Sequence, residues 1–324
     1  MARITISLAV ALSLLLGGCG KMQGSRPVRV GFSPRPAGQL VRLAYEKGVF
    51  DEEGLNVHCV KRGSALDLGD DLVSGKIDIA VMTLYEAVAA WDRGVDVIIP
   101  LVIDYSRGAD GIVARKQYVP LQLIKGKKVG VQLGSVSYFI LVKGLEKSGL
   151  READVTMIDV PPDETVEAFA EGIVDAVASW DPHLTRAAQQ GDGVNVYTST
   201  DASSLIADVL VVRKEFADRR PRDVENVLKA WFRTVHYFKN NYAEAVDIVS
   251  DADGLAADVV KEGFEGVEIG DVMVNREAFG DGINFGSIFA ALDDVSAFMR
   301  ERKLLKRDGD AKKCVLPSFF FKTQ

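Results

Sequence analysis

The residues best suited to holding a ligand stand where apolar runs stop. The run Ala176–Ser179 ends in Trp180, Asp181 and Pro182 instead of a short polar turn, and the run Val129–Val131 is soon followed by Gly134, Ser135, Val136 and Ser137. A tryptophan there offers a flat wall to a ring or a cation, and an aspartate beside it offers a charge-assisted acceptor. The same Trp180 is equally suited to burial between packed units, and Asp181 to capping the helix that follows. A glycine and two serines at a helix start present backbone N–H groups, hydroxyls and the positive end of the helix dipole to an anion or acceptor. One serine alone would serve as a cap. The other run ends supply Phe32 and Ser33, Gly63 and Ser64, Thr83, and Asp104 with Tyr105. Hydroxyls, aromatics and acids are the mix that a small polar organic ligand needs. Asp104, Asp110 and Asp181 favour a cationic or N–H-rich ligand, because carboxylates facing a desolvated cleft repel unless a positive partner lies between them or a proton is shared. Glu86 reads as a first-turn charge complementing its own helix.

Motifs for catalysis do not accompany these residues. The "GKK" near residue 126 lacks the glycine spacing of a P-loop, and there is neither a GxSxG elbow nor an HExxH pair. His58, His183 and His236 have no metal-ligand spacing. The expectation is a binder with no metal, no cofactor and no enzymatic activity. The chain of 324 residues carries a formal charge of −7 and no dense Lys/Arg stripe, which argues against nucleic acid as a partner. Its one basic cluster, Arg300 to Arg307, reads as a solvated last helix turn.

The elements that must position these residues alternate. "VRVGF", "LNVHCV", "IDIAV" and "VDVIIPLVI" are strand-like and are separated by amphipathic helices ending near Gly48, Gly75 and Gly94. A second block repeats the pattern, with strands at Val129–Val131, Val155–Asp159, Ala176–Ser179 and Val194–Tyr197. Such alternation predicts βαβ units and mainly parallel sheets. "DGIVARK" and "ADVLVVRK" are near-repeats, as two chain crossings between two lobes would be. From Pro221 onward the pattern is helical, with Trp231, Phe232, Tyr237 and Phe238 as a core stripe expected to pack on the first lobe.

Arg3, the apolar run Ile4–Leu16 and "LGGC" occur in the order of a targeting segment too short to span a bilayer. "LGGC" resembles a bacterial lipobox, which implies removal of residues 1–18, lipidation of Cys19 and a tether over 19–26. Several acyl chains would hold such a chain stably to a membrane. Cys59 and Cys314 either pair, as an oxidising compartment permits, or stay as buried thiols.

The order of motifs resembles the substrate-binding proteins of ABC importers, in the NMT1-like branch that takes up nitrate, sulfonates, taurine and thiamine pyrimidines. It runs from Val28 to Arg302 through "AYEKGVFDEEGLNV", "LVSGKIDIAVMT", "DYSRGADGIVARK", "IKGKKVGVQLGSVS", "LEKSGL", "EGIVDAVASWDPHL" and "DVLVVRKEF". The resemblance implies a two-lobed, type II periplasmic-binding-protein fold of two Rossmann-like lobes joined by two crossing strands. Lobe 1 would take residues 27–115 and 212–324, and lobe 2 residues 116–211. It also implies a lipid-anchored monomer, periplasmic or at the cell surface, that closes on a small molecule and docks on a membrane permease driven by an ATPase. Ligand contacts carried over from the family fall on Phe32, Ser33, Gly63, Ser64, Thr83, Asp104, Ser135, Ser137, Trp180 and Asp181, with Tyr105 beside them. Relatives more often have Trp-Glu-Pro, so the shorter Asp181 reaches less far. Acids and helix start together favour an amine- or N-heterocycle-containing ligand, such as an aminosulfonate or aminopyrimidine. The alternatives are a simple anion (nitrate or an alkanesulfonate), a thiamine-pyrimidine-synthase-like enzyme, and a tethered sensor.

Overall fold

A computed structural model describes residues 26–202, 206–280 and 287–324; residues 1–18 and Cys19 lie outside them. Eleven strands follow the chain: β1 (Val28–Phe32), β2 (Val57–Lys61), β3 (Ile79–Thr83), β4 (Val97–Ser106), β5 (Asp110–Arg115), β6 (Lys128–Val131), β7 (Thr156–Asp159), β8 (Ala176–Trp180), β9 (Gly193–Thr198), β10 (Ala207–Arg213) and β11 (Val267–Ile269). They form a six-stranded sheet in the order β11-β4-β10-β3-β1-β2 and a five-stranded sheet in the order β7-β6-β8-β5-β9. The helices Pro36–Glu46 and Ala65–Val73 link β1, β2 and β3, which pair in parallel as such crossovers require. β3 and β4 are buried along their whole length, consistent with their near-continuous apolar sequence.

The chain passes from the first sheet to the second at Arg107–Ala109, between β4 and β5, and is back in the first sheet at β10. The strands expected to cross, over 111–115 and 209–212, instead each lie within one sheet. β5 pairs with β8 and β9, while β10 pairs antiparallel with β3 and β4. The expected mainly parallel sheets are therefore mixed, because strands next to each passage run against their neighbours. The result is a two-lobed α/β fold whose lobes meet where β4, β5 and β10 begin or end.

The helices Pro221–Asn240, Tyr242–Asp253, Ala257–Glu265 and Ile288–Glu301 return to the first lobe. Trp231 and Phe238 are buried there, and the Trp231 indole N–H donates to the Gly270 carbonyl at 2.9 Å. Phe232 and Tyr237 are only partly buried. Cys59 on β2 and Cys314 beyond β4 are free thiols, separated by the width of β1, β3 and β10.

An aromatic cluster closes one side of the lobe junction. Phe298 of the helix Ile288–Glu301 stacks edge-on against Phe139 of the second lobe, with ring centroids 4.9 Å apart, and also meets Tyr85 and Tyr138. Arg302, one helical turn on, lies over the Phe298 ring and pairs with Glu146 at 3.0 Å and Glu152 at 3.1 Å. Phe298→Ala removes the ring on which this side of the junction packs. The expected cost is about 3 kcal/mol or more, measured by denaturant unfolding.

Candidate ligand-binding site

Three aspartates converge on one guanidinium at the junction. Arg35 lies in the turn between β1 and the helix Pro36–Glu46, Asp104 near the end of β4, Asp110 at the start of β5, and Asp208 at the start of β10. Antiparallel pairing sets Asp208 opposite Asp104 and Asp110 opposite Trp180. Arg35 donates from both terminal nitrogens to both oxygens of Asp110 at 3.0 Å, and from Nε to Asp208 at 3.1 Å. Its guanidinium carbon lies 5.2 Å from the centre of the Trp180 ring. All four charged side chains are buried, at 2 % exposure or less.

Burial alone would lower the Arg35 pKa, but the charges of Asp110 and Asp208 hold it well above the usual arginine value. Asp104 is pushed well above the carboxylate range by burial and then by the charge of Asp208. Burial also raises Asp208, with Arg35 opposing. Burial and the facing charge thus favour the protonated form of Asp104 more than that of Asp208, which has Arg35 beside it. Of the two devices that relieve facing carboxylates, the cation between them is in place here as Arg35.

A second cluster forms at the start of the helix Val136–Lys147. Glu86, in the first turn of the helix Leu84–Asp92, accepts from the backbone N–H of Val136 at 2.9 Å and from the Thr83 hydroxyl. It is fully buried, which raises its pKa, while Thr83, Val136 and Arg35 pull the other way. The Ser135 hydroxyl donates to the Gln132 carbonyl at 2.8 Å and accepts from the Ser137 N–H at 3.1 Å, so Ser135 does cap its helix. Glu86 thus reaches across the junction, which its reading as a charge on its own helix had not included.

Thr83, Ser135 and Val136 meet around Glu86, and Asp104 and Trp180 meet around Arg35. Asp181 lies next to this second group, but its Oδ1 accepts from the Thr185 N–H at 2.9 Å as a helix cap, and burial pushes its pKa up to about 6. Trp180 is buried at 4 % exposure, with the His183 ring edge-on at 4.7 Å. Burial drives His183 down to about 4, leaving it neutral at pH 7. Ser33 and Tyr105 are buried at strand ends, and Phe32 lies beneath Arg42. Ser64 caps the helix Ala65–Val73 through the Asp67 N–H, and Gly63 is exposed beside it. Among the described residues, no group of three or more His, Cys, Asp or Glu side chains is arranged to hold a metal.

Sequence reasoning missed Arg35 and Asp208 and undervalued Glu86. Each carried a signal: Arg35 is the charge in "SPRP" at a strand end, Asp208 is the acid opening an apolar strand, and Glu86 is an acid early in "LYEAVAAW". A cavity beside Thr83 and Val136, lined also by Tyr85, Phe139, Ala207 and Val295, has a volume of about 10 Å³. That is room for at most one water.

Two mixed α/β sheets, chain crossings at their shared edge and a charged site between them define a periplasmic-binding-protein fold of the two-lobed type. The NMT1-like family model matches residues 22–250. The chain belongs to that family. A Bacillus subtilis (strain 168) protein named for aliphatic sulfonate binding is 28 % identical over 97 % of this chain and 94 % of its own length. The periplasmic aliphatic sulphonate binding protein SsuA of Escherichia coli superposes with a TM-score of 0.73 at 18 % identity, covering 92 % of this chain and 100 % of that one. The alkanesulfonate-binding protein SsuA of Xanthomonas axonopodis pv. citri, solved with MOPS, gives 0.72 at 18 % identity over 90 % and 99 %.

Arg35→Met leaves the Asp208 and Asp110 carboxylates buried without their cation, at an expected cost of about 3–5 kcal/mol at pH 7. Losing the guanidinium raises the folded-state pKa of Asp208 still further above its unfolded value. The variant is therefore penalised increasingly as pH rises, and its deficit against the wild type shrinks as pH falls. Urea unfolding at several pH values measures both.

Proposed function

We propose that this chain is the extracytoplasmic receptor of an ABC importer and that it captures an organosulfonate between its lobes. The observation that carries the ligand class is Glu86: an anionic side chain already sits on the Val136 N–H and the Thr83 hydroxyl. A helix start with a free N–H and a neighbouring hydroxyl favours an anion. Arg35 is close enough to Glu86 to pull its pKa down, so an anion in that place also feels the guanidinium. The relatives named for sulfonate binding support the same class.

The acids argue differently from the amine-bearing ligand that their number suggests. Asp110 has both oxygens on Arg35, and Asp208 has Arg35 on one side and Asp104 on the other. An ammonium group would have to displace Arg35 before reaching Asp110 or the engaged Asp208 oxygen. A simple alkanesulfonate makes no such demand and is preferred here over an aminosulfonate or aminopyrimidine.

The receptor works without catalysis, as a lipid-anchored monomer held by Cys19 near the permease and its ATPase. Among the described residues no helix is long and apolar enough to cross a membrane, so attachment would rest on the N-terminal segment. Lobe closure around the ligand would present the form that docks.

Titration calorimetry of the purified chain with butanesulfonate, taurine, butylamine and nitrate tests the assignment. Butanesulfonate is expected to bind with a Kd of about 1 μM, or about −8 kcal/mol, and to be recovered unchanged after incubation. Binding of butylamine but not butanesulfonate would contradict the assignment.

A further inference from the structure

We propose that Glu86 is a resident competitor of the ligand: its carboxylate holds the start of the helix Val136–Lys147 across the junction, and a ligand anion must displace it. This rests on the organosulfonate reading of the site and adds a threshold to it. Three observations support the proposal. Glu86 belongs to the first lobe, yet it accepts from a backbone N–H of the second at 2.9 Å. Its other oxygen takes the Thr83 hydroxyl, so the groups offered to a ligand anion at this point are already engaged. The cavity bounded by its two partners, Thr83 and Val136, has a volume of about 10 Å³, too small for a sulfonate in this junction.

The contact also ties the two lobes together. An anion supplied by the first lobe bridges to the helix start of the second, as a bound anion would. The aromatic cluster of Tyr85, Phe139 and Phe298 lies alongside, and Tyr85 directly precedes Glu86 in the same helical turn. Withdrawing Glu86 therefore moves a residue whose neighbour helps seal the lobes. Only an anion that binds the helix start better than Glu86 does would hold the site, and weak acceptors would fail.

Val136 permits a clean test because it is the first residue of its helix. Proline is well tolerated there, and the preceding Ser135, at φ −112° and ψ 176°, is already in the extended region that a following proline requires. Val136→Pro deletes one N–H and keeps the helix. Butanesulfonate affinity is measured by calorimetry for the wild type, Glu86→Ala, Val136→Pro and the double variant, with Glu86→Gln as a variant that keeps side-chain volume and one acceptor oxygen for the Val136 N–H.

With Glu86 as competitor, Glu86→Ala binds about tenfold or more tightly than wild type, and Glu86→Gln falls between them. Val136→Pro then weakens binding about tenfold in the Glu86→Ala background. In the presence of Glu86 it changes affinity little, because ligand and competitor lose the same donor. Equal effects of Val136→Pro in both backgrounds would overturn the competition while leaving the sulfonate site in place, since plain charge repulsion from Glu86 is additive with loss of the N–H. Unchanged affinity on Val136→Pro in the Glu86→Ala background, or no butanesulfonate binding by any variant, would overturn the site reading and the competition with it.

Discussion

The Arg35 guanidinium, fixed on Asp110 and Asp208 and facing Trp180, is the interaction on which the lobe junction depends. It enters from the turn after β1, and its partners come from β5 and β10, the strands that stand beside the two passages between sheets. Both lobes therefore meet on one buried charge. In a low-dielectric interior such a cation holds its anions strongly, and losing any one partner leaves an uncompensated charge. Separating the lobes means returning Arg35 and Asp110 to water together. The ion cluster thus favours a small set of junction geometries over a continuous range of openings.

The same cluster bears on what can bind. Facing carboxylates normally call for a cation from outside, yet here the chain supplies its own, and the repulsion that remains raises the pKa of Asp104. What the junction offers in return is an anion position, held by Glu86 at the start of the helix Val136–Lys147. On the reading proposed, the acids serve the architecture of the site and the helix start serves the ligand. Side chains that resemble ligand contacts by type divide between these roles according to whether the protein already satisfies them.

Much of the fold was legible from periodicity. β1, β3 and β8 appear within a residue or two of the apolar runs, because a buried strand with a turn at each end leaves a plain pattern. Pairing direction was not legible, since a strand returning from another lobe has the same composition as one that continues a βαβ unit. β11 was missed because three residues, Val267 to Ile269, carry too little alternation to stand out. Of the residues gathered at the junction, Thr83, Ser135, Asp104 and Trp180 were marked in the sequence by their place at strand ends. Arg35 and Asp208 were not, because an ion pair 173 residues apart in sequence is made by tertiary contact alone. Trp180 shows the limit well: its strand-end position was evident, but its burial under Arg35 depends on a residue with no local relation to it.

The central claim is that the ligand anion takes the helix start while the chain's own cation stays with its aspartates. A crystal structure of the chain grown with butanesulfonate measures this directly. The account predicts sulfonate oxygens on the Val136 N–H and the Thr83 hydroxyl, Glu86 turned away, and Arg35 still paired with Asp110. A sulfonate bound on Arg35 with Asp110 released, or seated outside the lobe junction with Glu86 unmoved, would contradict it.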